Sequence, residues 1–113
     1  MHELSITQSI LNIAVSSAQK EHAKKVNKIT IVLGEMTDFI PQYIQEYYNI
    51  VSKGTIAENA ELVFKKAPAI ARCLDCGHDT HLKDYKFICE NCASQNLKII
   101  SGKEFFVETI DID

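Results

Sequence analysis

Along "LSITQSILNIAVSSAQKEHAK", residues 4–24, Leu4, Leu11, Ala14, Val15 and Ala18 recur at helical spacing, and Ile6, Ile10 and Ile13 widen the apolar face. That period predicts a helix. Ser5 followed by Gln8 predicts a capping box at its start, and Lys20, Lys24 and Lys25 suit the negative end of its dipole. In "VNKITIVLGE" the period changes: Ile29, Ile31 and Leu33 fall on one face and Val32 on the other, which predicts a strand ended by Gly34. "PQYIQEYYNIVSKG" returns to helical spacing, with Ile44, Tyr47, Tyr48 and Val51 as its stripe. Pro41 stands in its first turn and Gly54 just after its end. "AELVFKKA" predicts a second strand. After Pro68 the pattern breaks, and it resumes beyond the Ser101-Gly102 turn in "KEFFVETIDID", whose aromatic and β-branched residues predict a third.

These elements predict an α+β fold: a small mixed three-stranded sheet with two helices, interrupted before its last strand. The expected division is 1–68 with 102–113 as one domain and 69–101 as an inserted one. The length, 113 residues, suits one domain or a small domain with a smaller insert. An insert of about 30 residues cannot bury enough apolar surface alone and needs a metal or disulfides.

The insert holds all four cysteines, in "CLDCGHDTHLKDYKFICENC" from Cys73 to Cys92. Two C-x-x-C pairs bring four thiolates around one cation, the usual tetrahedral solution for zinc, so Cys73, Cys76, Cys89 and Cys92 are the expected ligands. The gap between the pairs is long enough for two short strands and a turn. Gly77 suits a left-handed backbone position that lets amides point at sulfur. Ala93 occupies the matching place in the second pair. A closed S4 site leaves no open position for substrate, so it is expected to be structural. Iron in the same four sulfurs is the competing occupant.

Charge narrows the partners. The net charge is −3, and within the insert Arg72, Lys83, Lys86 and Lys98 are matched by Asp75, Asp79, Asp84 and Glu90. Four thiolates and a dication leave it about two units negative, which disfavours nucleic acid. No apolar run spans a membrane, and Glu3 stands where a signal peptide would be basic. The expected setting is the cytoplasm, with reduced thiols and no disulfide framework. His78 and His81, between the cysteine pairs, read as solvated loop residues or as one auxiliary metal ligand. His22 reads as a solvated residue closing a helix. "EHAKK" lacks the second histidine of H-E-x-x-H, no phosphate loop is present, and no nucleophile constellation is visible, so no enzyme is expected.

At the N-terminus, "MHE" offers a second kind of metal chemistry. The α-amine, the backbone amide of His2 and the His2 imidazole close two adjacent chelate rings on one ion, a tetragonal nitrogen set that suits Ni(II) or Cu(II). Binding there weakens as pH falls below neutral, because the amine must lose its proton.

"MHELS", "IVLGE", "VSKGT", "AELVF", "CLDCG" with "CENC", and "SGKEFFV" together resemble the HypA/HybF family, the nickel metallochaperones of [NiFe]-hydrogenase maturation. The resemblance covers nearly the whole chain. It implies a nickel domain with a zinc domain inserted before its last strand. It also implies His2 as the essential nickel ligand, with the N-terminal amine and adjacent backbone nitrogens taking part, which carries onto Met1, His2 and Glu3. The implied partners are a hydrogenase-accessory GTPase of the HypB type and the hydrogenase large subunit, with the chain a monomer or homodimer. Two positions depart from the family pattern: Glu90, where proline is common, and Ala93, where glycine is usual. Without the resemblance, a zinc-ribbon adaptor for another protein is the alternative.

Overall fold

The computed structural model describes residues 3–83 and 86–113. Helix α1 (Glu3–Lys20) leads into strand β1 (Val26–Gly34), helix α2 (Pro41–Val51) and strand β2 (Glu61–Ala67). Three short strands follow, β3 (Ile70–Cys73), β4 (Asp79–His81) and β5 (Leu97–Ser101), and β6 (Phe105–Ile112) ends the chain. One sheet has the order β2-β1-β6 and the other β4-β3-β5.

In the first sheet, β1 and β6 run antiparallel, with hydrogen bonds from Lys24 N–H to Asp113 at one end and from Gly34 N–H to Glu104 at the other. Val26 N–H reaches Ile56 and Glu35 N–H reaches Ala67, so β1 and β2 run parallel. Such a pair needs a crossover, and α2 supplies it.

Helix α1 is shorter than its apolar period predicts. His22 takes left-handed backbone, φ 56, with Ala23 N–H bonded to Ala18 O and His22 N–H to Gln19 O. That is a Schellman closure with histidine in the place glycine usually fills, and it leaves Lys24 and Lys25 outside the helix. The start is also earlier than a Ser5 cap requires, since the helix opens at Glu3 and Gln8 bonds Asn12 instead. The buried face is Glu3, Thr7, Ile10, Leu11, Ala14 and Ala18, while Leu4 and Ile13 lie on the exposed side. Thr7 fits that face because its hydroxyl donates to the Glu3 carbonyl one turn earlier, which satisfies it without water.

Backbone contacts divide the chain into two compact units. One is the chain up to Val32 with Asp38–Lys65 and Phe106–Asp113; the other is Leu33–Thr37 with Lys66–Phe105. In the first, Tyr48, Ile10, Ile29, Ile31 and Ile44 are the largest fully buried side chains. Each such aliphatic contributes about 1.5–3 kcal/mol on burial. The Tyr48 hydroxyl donates to the Ala57 carbonyl, and burial pushes its pKa up to about 12. On α2, Ile44 and Tyr48 are buried but Tyr47 is exposed, so the expected stripe is narrower than the sequence suggests.

The second unit has a small core: Ala69, Ala71 and Leu82, flanked by Met36, Leu97 and Ile99. Strand β3 pairs antiparallel with β4, Ala71 opposite Thr80, and with β5, Cys73 opposite Leu97. Of the two short strands expected between the knuckles, only β4 lies there among the described residues; its sheet is completed by β3, which ends at the first knuckle, and β5, beyond the second. The segment Leu33–Thr37 joins this unit from upstream. Glu35 N–H bonds Ala67 O and Met36 N–H bonds Gly102 O. Glycine is required at 34, because a Cβ there would lie 2.0 Å from the Gly102 carbonyl oxygen.

Candidate metal centre

The four cysteines converge. Each offers one sulfur, and all four lie within 4.8 Å of one another, with no other such group of metal-ligating side chains among the described residues. Cys73 and Cys92 sulfurs stand 3.6 Å apart, as do those of Cys76 and Cys89. A tetrahedral zinc with Zn–S near 2.3 Å holds its sulfurs about 3.8 Å apart, so the cluster has the right size for that ion. The four are free thiols, the first of each pair buried and the second exposed.

Local backbone explains the convergence. Cys73 ends β3, and the chain turns so that Gly77 N–H bonds Cys73 O at 2.9 Å; the second turn repeats this with Ala93 N–H and Cys89 O at 2.9 Å. Both turns close through left-handed residues, Gly77 at φ 79 and Ala93 at φ 62. Within each turn, amides aim at the first sulfur, those of Cys76 and Asp75 at Cys73 and those of Cys92 and Asn91 at Cys89. The Cys92 amide is the main reason the Cys89 thiol falls to about 6. The Ser94 amide pulls Cys92 down, but the Cys73 sulfur, desolvation, and the Cys76 and Cys89 sulfurs together outweigh it and push that thiol up to about 12. Like charges this close cannot all ionise alone, and a dication is what lets four thiolates coexist.

Side chains the sequence reading did not single out brace the knuckles. Asp75 accepts hydrogen bonds from the Ser94 hydroxyl and the Asn96 amide, tying one knuckle to the other, and these bonds hold its carboxyl below the usual range. Asn91 donates from its side chain toward the Cys76 sulfur at 3.6 Å. Thr80, buried in β4, accepts from Glu90 N–H at 3.2 Å. An Asp or Asn two residues into a C-x-x-C turn is the only sequence signal of this bracing.

The two histidines between the pairs are hydrogen-bonded rather than merely solvated. His78 Nε2 lies 2.8 Å from Glu90, which raises its pKa. His81 Nε2 lies 2.8 Å from Glu35 Oε1, an oxygen that also accepts from Ala69 N–H at 2.8 Å. The His81 bond first, then that of Ala69, lowers the Glu35 carboxyl. Neither imidazole belongs to the four-sulfur group.

Of the expected nickel end, Met1 and His2 lie outside the described residues. Glu3 opens α1, is 7% exposed, and its Oε2 accepts a hydrogen bond from Ile40 N–H at 3.4 Å. No helix among the described residues is long and apolar enough to cross a membrane.

Comparison with known proteins agrees with this architecture. A family profile described as hydrogenase/urease nickel incorporation, metallochaperone, HypA matches residues 1–112. The hydrogenase maturation factor HypA of Caldanaerobacter subterraneus subsp. tengcongensis is 40% identical over 114 residues, the whole of both chains. That of Aquifex aeolicus is 32% identical over all of this chain and 98% of its own. A solution structure of the Ni metallochaperone HypA from Helicobacter pylori matches with a TM-score of 0.70 at 22% identity, covering 99% of this chain and 97% of that one. A second HypA solution structure gives 0.75 at 22% identity, over 99% and 96%. At that identity the likeness concerns the fold. The profile match and the identities, both spanning the full length, make this chain a member of the HypA family of hydrogenase maturation metallochaperones.

Proposed function

We propose that this chain carries Ni(II) on its N-terminus, through the Met1 amine, the backbone nitrogens of His2 and Glu3, and the His2 imidazole. It passes the metal to a [NiFe]-hydrogenase large subunit. A HypB-type GTPase supplies the nucleotide step, and the chain itself catalyses nothing. A structural zinc on Cys73, Cys76, Cys89 and Cys92 staples the inserted domain, residues 69–101. The remainder, 1–68 and 102–113, carries the nickel end, and the setting is the cytoplasm.

The observation that supports this most is where the metal-ligating groups are. Among the described residues the sole such cluster is a set of four sulfurs, which saturates a tetrahedral ion and leaves no position for exchange. Cargo that must be released needs a different site, and the family match begins at residue 1, taking in "MHE". Amine and amide nitrogens favour nickel where four thiolates favour zinc, so the two sites sort the metals.

Metal analysis of untagged protein, with Met1 verified by intact mass, tests the assignment. His2→Ala, N-terminal acetylation or an added N-terminal tag should each abolish tight nickel binding and leave one zinc per chain. Cys89→Ala should do the reverse: zinc is lost while the helical circular dichroism persists. If acetylated protein binds nickel as tightly as the native chain, the N-terminal site is wrong. Iron colour in the purified protein would replace zinc as the staple. Were no nickel bound at all, the adaptor reading would take over, with exposed Leu74, Phe87 and Ile88 of the cysteine segment as its contact residues.

A further inference from the structure

Helix α2 has no cap of its own. Its N-cap is Ile40, with extended backbone and no side-chain hydrogen bond, and its first turn contains no acidic residue. In a capping box the N-cap N–H is met by a Glu or Gln three residues into the same helix. Here that position is Tyr43, and the N–H of Ile40 is met instead by Glu3, 37 residues earlier. Glu3 is also the first residue of α1, so one carboxylate lies at the positive ends of two helices.

We infer that Glu3 is the positioning residue of the proposed nickel end. Its side chain ties the first turn of α1 to the N-cap of α2, and acts on nickel through that tie rather than by ligation. The inference rests on the nickel reading above. Its physical basis is preorganisation. Two adjacent chelate rings need the amine, amide and imidazole nitrogens in one plane, and a fraying helix start would have to be ordered at the moment of binding. The N–H of Glu3 is one of the four that an α-helix leaves without an internal acceptor. Its nitrogen can therefore be given to a metal without breaking a helical bond, provided the helix still begins at that residue. The bond to Ile40 helps to keep the start in place.

The test is nickel titration of the untagged full chain and two variants, read by affinity and by the Ni(II) d–d band, with amide exchange at Ile40. Glu3→Ala should weaken nickel binding about tenfold, the scale on which loss of a helix cap is felt. Its band should stay at the native wavelength, because the nitrogen donors are unchanged. Glu3→Gln keeps an acceptor oxygen at the same reach and should restore most of the affinity. Ile40 exchange should be slow in the native chain and in Glu3→Gln, and fast in Glu3→Ala. Equal loss in both variants with a shifted band would make the carboxylate a ligand and overturn the inference, as would native-like binding by Glu3→Ala. Failure of the nickel reading looks different: acetylated and free chains would bind alike, while Ile40 exchange still reports whether the tie exists.

Discussion

The two cysteine knuckles solve one backbone problem with different residues, and that asymmetry should be measurable. Gly77 and Ala93 each donate an N–H to the carbonyl of the first cysteine of their pair at 2.9 Å, and each sits in the left-handed region, at φ 79 and φ 62. For alanine that region costs about 1–2 kcal/mol, because Cβ crowds the following carbonyl. Ala93→Gly removes the cost but gives the unfolded chain more freedom, which takes back about 0.5–1 kcal/mol. Ala93 is exposed, so its methyl group contributes little by burial. The balance favours glycine by about 0.5–1 kcal/mol, roughly a two- to fivefold gain in metal retention. Gly77→Ala is the mirror experiment. A Cβ at 77 would meet no heavy atom within 4 Å, so its penalty is backbone strain alone, similar in size and opposite in sign. Competition for zinc against a chromogenic chelator at fixed pH reads both variants on one scale. If Ala93→Gly gives up zinc sooner than the native chain, or Gly77→Ala holds it equally well, the strain argument is wrong.

Two further outcomes follow from buried and paired groups. Tyr48→Phe leaves the Ala57 carbonyl without its buried donor and should lower stability by about 1–3 kcal/mol in thermal or urea unfolding, with the fold retained. Loss of less than a few tenths would mean that water replaces the hydroxyl. The Glu35 carboxyl is held below its ordinary value of 4.5, so the stability it contributes is complete above that value and disappears as pH falls through the lower, folded one. In an NMR titration, His81→Ala should move the Glu35 midpoint upward, toward 4.5; an unmoved midpoint would assign the shift to the Ala69 amide alone.

The convergence of the four cysteines was legible in the sequence because a C-x-x-C turn is a local object. Its hydrogen bond spans four residues, from Gly77 to Cys73 and from Ala93 to Cys89, so spacing by itself dictates that paired sulfurs meet. The helices and the three strands of the larger sheet were legible for a related reason: each shows its own period over several residues. What the periods could not say is which side of α1 faces inward. Its apolar arc is wider than any neighbour can cover, and packing left Leu4 and Ile13 in solvent while burying Thr7. The strand after the second knuckle is only five residues long, too short to show a period of its own, so its pairing with β3 has no signal stronger than turn composition. The contacts that most bear on the proposed sites join distant parts of the chain: Glu3 to Ile40 across 37 residues, Glu35 to Ala69 across 34 and to His81 across 46. In the sequence each is a lone glutamate beside a helix or after a strand. Only the tertiary fold decides where its carboxylate ends, because closing loops of that length is governed by everything packed between their ends.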